Sequence, residues 1–140
     1  MGTRINQLPG VCESINGLEI DIYRFQFSPQ GAGTVTNVTT GRTCGIASIV
    51  YGGSTGLYTV QLVDGAPGNF LGGYCAVRST AAGNMRGFSA EFDGTNGVET
   101  AGTISVAVYN TSNVLNSPTA AAGEYVYGWA LFSRNPLTTN

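Results

Sequence analysis

Glu91 and Asp93 stand two residues apart, a spacing that turns both carboxylates to one face of a strand. A glycosidase needs such a carboxylate pair across its scissile bond. A Gly turn follows immediately, and two solvated acids ahead of a turn is the reading the pattern favours. Asp93-Gly94-Thr95-Asn96-Gly97 offers carboxylate and amide oxygens in a tight loop but lacks the downstream bidentate Glu of a calcium hand. Gly52-Gly53-Ser54-Thr55-Gly56 is followed by a strand where a phosphate cradle would need a helix N-terminus, so it reads as a hairpin loop. The chain contains no His, which removes the commonest general base and metal ligand. No GxSxG, P-loop or CxxC motif is present. Cys12, Cys44 and Cys75 are an odd set at long spacings, which suits reduced thiols better than a disulfide framework, although one disulfide stays open. Cys44 and Cys75 read as small buried hydrophobes of low thiolate character. The expectation is therefore no catalytic residue, no metal, no cofactor and no enzyme.

Composition narrows the partners. Of 140 residues 21 are Gly and only 10% are charged, against roughly 25% in an ordinary soluble domain. Six basic residues, all Arg, are scattered singly and outnumbered by eight acids, which argues against nucleic acid. No apolar run has the length of a signal peptide or membrane span, so neither export by that route nor membrane insertion is expected. The sequons at Asn37 and Asn110 read as chance. A surface built from Thr, Ser, Asn, Gln and Gly, with no Lys, suits a subunit covered by its neighbours.

The elements that would carry these residues show period two, not helical spacing. Val11 to Ile15, Asn16-Gly17 and Leu18 to Ile22 predict a hairpin on a two-residue type I′ turn. That register pairs Ile15 with Leu18, Glu13 with Ile20 and Val11 with Ile22, giving one mostly apolar face over a core. Further strands are expected near Tyr23 to Phe27, Thr34 to Val38, Gly45 to Tyr51, Leu57 to Val63, Tyr74 to Ser79, Gly87 to Phe92, Thr103 to Tyr109 and Tyr125 to Ser133. A short helix is expected around Pro118 to Ala122. The predicted fold is all-β, an antiparallel sandwich of about eight strands, jelly-roll-like, in a single domain over 11–134 with an N-terminal arm 1–10 and a C-terminal tail 135–140. On the last strand Tyr125, Tyr127, Trp129 and Leu131 point one way and Val126, Gly128, Ala130 and Phe132 the other. With both faces apolar, the strand is either central in a two-layer core or backs onto a subunit interface. If Trp129 is core, its replacement by Ala costs about 3–5 kcal/mol.

Gly45-Ile-Ala-Ser-Ile-Val, then Gly56-Leu-Tyr-Thr-Val-Gln-Leu, then Phe70-Leu-Gly-Gly-Tyr-Cys-Ala-Val resembles the run of strands in small β-sandwich modules of tailed-phage virion proteins. Gly123-Glu-Tyr-Val-Tyr-Gly-Trp-Ala-Leu-Phe is similar to their final strand, and to that of trimeric jelly rolls of the tumour-necrosis-factor and C1q type. The resemblance implies a capsid cement or decoration protein; without a shaft or heptads, a fibre-tip module is the weaker alternative. It implies the major capsid protein and further copies of the chain as partners, a trimer before a dimer, synthesis in a host cytoplasm and a place on the outer capsid surface. Candidate interface anchors are Trp129, Tyr125, Tyr127 and Arg134, with Arg4 and Leu8 in the arm, because aromatic and Arg side chains dominate hot spots. The polar, Pro-broken ends are expected to reach onto adjacent shell proteins. The competing expectation is a receptor- or glycan-binding tip, with Tyr and Trp on loops or an open sheet face stacking on sugar rings.

Overall fold

The computed structural model describes residues 10–13, 19–31, 35–36, 43–63, 69–93 and 102–133. Among these, every regular element is a strand: β1 (Gly10–Glu13), β2 (Glu19–Pro29), β3 (Val35–Thr36), β4 (Ile46–Tyr51), β5 (Leu57–Leu62), β6 (Asn69–Arg78), β7 (Ser89–Phe92), β8 (Thr103–Tyr109) and β9 (Tyr125–Ser133). One antiparallel sheet has the order β1-β2-β9-β6, with β3 also on β2; the other is β4-β5-β8-β7. Seven strands make the two layers proper, and β1 and β3 lengthen the first. The pairings nest: β2 with β9 and β5 with β8, then β6 on β9 and β7 on β8. The chain therefore crosses between sheets from β3 to β4, β5 to β6, β6 to β7 and β8 to β9, the winding of the predicted jelly-roll-like sandwich.

Aromatic rings bridge the layers. Phe27 of β2 lies 5.0 Å from Tyr58 of β5, and Phe25 of β2 lies 6.1 Å from Phe92 of β7. Phe70 of β6 meets both Phe92, at 5.9 Å, and Phe132 of β9, at 5.4 Å. Ile104, Val106 and Val108 of β8 and Val60 and Leu62 of β5 fill the space between them, all fully buried. Edge-to-face and tilted rings at these separations add to the area they remove from water.

Three expectations are corrected. Leu18 to Ile22 and Tyr23 to Phe27 are not two strands, because β2 runs unbroken through both from Glu19. The hairpin register is displaced by one residue: Val11 pairs with Asp21, Cys12 with Ile20 and Glu13 with Glu19. Pairing with β9 from Ile20↔Ser133 to Phe27↔Val126 pins β2 along its length. Its alternation sends Tyr23, Phe25 and Phe27 inward and with them Asp21, which turns Ile20 and Ile22 away from the core. Residues 118–122 form no helix, because their backbone groups bond instead to the end of β2: the Gly31 N–H donates to the Pro118 carbonyl and the Ala120 N–H to that of Pro29. Asn16-Gly17, the loop 94–97, the Asn37 sequon, Arg4, Leu8, Arg134 and the tail lie outside the described residues, as does the arm up to residue 9.

A buried carboxylate organises the approach to β9. Glu124 is fully buried. It accepts hydrogen bonds from the Ala121 N–H at 2.6 Å, the Ser79 hydroxyl at 2.8 Å and the Asn84 and Met85 N–H groups at 3.2 Å each. Its own carbonyl receives the Ser28 hydroxyl at 2.9 Å. Gly83 passes so close that a Cβ there would collide with the carboxylate. Burial pushes the Glu124 carboxyl up, but the bonds from Ala121, Ser79, Met85 and Thr80 outweigh it and hold it below the ordinary value. A depressed folded-state pKa contributes stability that is present above the unfolded carboxylate range and lost as pH falls through the folded value. Glu124→Gln should cost about 2–3 kcal/mol at neutral pH and weaken the acid-side loss of stability, as urea unfolding between neutral pH and acid would measure.

Candidate interaction face

On β9 the inward row is small where the chain crosses the core. Val126, Ala130 and Phe132 are fully buried and Gly128 lies between them. A Cβ at Gly128 would stand 2.6 Å from Cζ of Phe25 and 2.8 Å from Cβ of Cys75, so the Phe25 ring occupies the space a side chain would need. The bulky residues of β9 take the other parity and face outward. Register then assembles rows across three strands: Arg24, Trp129 and Tyr74; Gln26, Tyr127 and Ala76; Ile22, Leu131 and Gly72. Neighbours in such rows stand about 5 Å apart and successive rows about 7 Å. Tyr74 is 52% exposed, Trp129 40% and Tyr127 38%. At one end the Arg78 guanidinium lies 5.8 Å above the Tyr125 ring, within cation–π range. Leu71, in the bulge between Phe70 and Gly72, is also exposed. Arg24 and Arg78 are both exposed, and no described acid shares the rows of this face.

Three of the sequence-predicted anchors are thus brought together: Trp129 and Tyr127 in the open and Tyr125 half-buried under Arg78. Trp129 is not a core residue; the core requirement is met by the opposite parity of its strand. Tyr74, Arg24 and Arg78 complete the face and were not among the predicted anchors. They reach it through β6 and β2, strands separated from β9 by about 50 and 100 positions in the chain. Only the alternation of Tyr74, Ala76 and Arg78 hinted that one side of β6 is not core.

A second feature lies on the outer side of the other sheet. Ser89, Glu91, Tyr109 and Asn113 line a shallow groove of about 230 Å³. Glu91 stands on the outer face of β7, since Ala90 and Phe92 pack into the core, and Asp93 follows just beyond the strand's end. Glu91 is exposed and bonded to the Tyr109 phenol, whose pKa is raised by that hydrogen bond first, then by burial and by the charges of Glu91 and Asp93. The groove wall is a tight turn in which Asn110 Oδ1 accepts from the Ser112 and Val114 N–H groups, with Asn113 at φ 56°. Cys75 is a buried thiol pushed up to about 12 by burial and by Glu91, as its expected inertness requires. Cys44 is buried as well. Gly52 to Gly56 close the β4–β5 hairpin, where the Gly52 N–H donates to the Leu57 carbonyl. Among the described residues no three His, Cys, Asp or Glu side chains converge as metal ligands, and no helix is long and apolar enough to cross a membrane.

Fold and surface together define an antiparallel β-sandwich with an outward aromatic face. The chain matches no protein-family model, and no curated protein or solved structure gives a significant match. The parity of β9 is directly measurable. Trp129→Ala should cost about 1 kcal/mol, and Phe25→Ala about 3–5 kcal/mol, in urea unfolding of the purified protein.

Proposed function

We propose that the chain is a non-catalytic virion structural protein, a homo-oligomeric subunit that decorates or cements a phage capsid by bridging neighbouring shell subunits from the outer surface. The observation that carries the reading is the Arg24–Trp129–Tyr74 row with Tyr127 and Arg78 beside it, an arginine-flanked aromatic face on rigid strands. Tyr, Trp and Arg are the residues interfaces concentrate, and Lys, Glu and Asp those they avoid. A chain with no Lys and 10% charged residues follows the same bias over its whole length. The virion setting rests on the strand-pattern resemblance, and the partners are further copies of the chain and the major capsid protein. Many modest interfaces on each particle would stabilise a shell additively. In-register aromatic side chains on a flat sheet also favour a second reading, a glycan-binding tip in which Trp129 and Tyr74 stack on sugar rings.

Copy number separates the two. Quantitative mass spectrometry of purified particles should find the chain in hundreds of copies, in proportion to the shell protein. A few tens of copies, together with binding on a glycan array, would move it to the tail.

A further inference from the structure

Two surfaces of complementary chemistry lie on opposite layers of the sandwich. The first carries Arg24, Trp129 and Tyr74 in one row and is positive, with Arg78 at its end and no described acid in its rows. The second is the groove in which Glu91 stands exposed beside Ser89, Tyr109 and Asn113. Inboard of the groove the outward positions of β8, Ser105 and Ala107, are already covered, so the accessible part of this surface is the rim on which Ser89 and Glu91 stand exposed.

We infer that copies of this chain assemble head to tail, the Arg24 guanidinium of one copy entering the Glu91 groove of the next while Trp129 and Tyr74 cover its rim. The inference rests on the self-associating subunit proposed above and names the two surfaces that meet. A face-on-face dimer would bring the arginines of two identical faces together with no described carboxylate between them, and like charges at an interface oppose association. A head-to-tail contact sets the cation of one copy on the anion of the other. The groove suits a guanidinium, whose planar fork of donors matches a carboxylate edge with hydroxyl and amide oxygens beside it. Arg24 is the better donor of the two, because the Arg78 guanidinium already lies over Tyr125. Contacts between unlike surfaces close into a ring, such as a trimer, where the rotation between successive copies allows it, and otherwise continue as an open stack.

Charge exchange tests the pairing on the full chain. Arg24→Glu and Glu91→Arg should each raise the dissociation constant for self-association roughly ten-fold or more, and Arg24→Glu/Glu91→Arg together should return it to within about three-fold of the parent. Native mass spectrometry and sedimentation velocity read the constants. Circular dichroism and melting temperature verify the fold, and Arg24→Gln and Glu91→Gln replace any reversal that unfolds. A double variant as dissociated as the singles overturns the pairing. So does a Glu91→Arg protein that assembles normally while Trp129→Ala does not, and that outcome leaves the self-associating subunit standing. A parent protein that stays monomeric at every concentration overturns both.

Discussion

Everything in the first layer depends on the Phe25 ring lying against a glycine. Phe25 belongs to a run with Tyr23 and Phe27 that must face inward for the layers to join, and Phe25 reaches Phe92 across the core. The strand beside it can accept that ring only if its inward side chain is absent at the crossing point, and Gly128 meets the requirement. Close packing then fixes the parity of the whole of β9, because alternation leaves no intermediate choice. The aromatic side chains that the core does not take are delivered to the outside, in line with Arg24 and Tyr74. An interaction face is thus a by-product of how the core is filled.

Polar groups follow a different economy. Glu124 would be costly as an isolated buried charge, yet four protein donors surround it and a glycine clears its approach. The result ties residues 79–85, the turn at residue 121 and the end of β2 to the start of β9. This is the segment from which the aromatic row projects, so the clasp holds the face as well as the fold. A site on strands so constrained is preorganised, and binding there need not order a loop.

The charges left at the surface are few enough for their placement to matter. Arg24 and Arg78 flank the aromatic face of one layer, and Glu91 marks the groove of the other, where the Tyr109 phenol orients it. In a chain richer in charge such a separation would be lost among neighbours within a Debye length. Here it gives the two layers opposite characters, and a molecule with unlike faces is suited to repeating contacts between copies.

The amino-acid order by itself determined the class of fold, because period-two alternation broken by Gly, Asn and Asp is a local property of strands and turns. Thr103–Tyr109 and Tyr125–Ser133 were legible to the residue, and so was the hairpin loop at Gly52 to Gly56. Trp129 and Tyr127 could be named as candidates because their types are those of anchors, but their strand is apolar on both sides, and nothing local says which side is core. Long-range pairing decided that: β2 and β6 locked onto β9 and chose Gly128 and Ala130 for the interior. It also overrode the Asn16-Gly17 register, since a two-residue turn contributes less than eight paired positions between β2 and β9. Tyr74 and Arg24 became site residues only through that pairing, which joins positions too distant in the chain for any local pattern to connect.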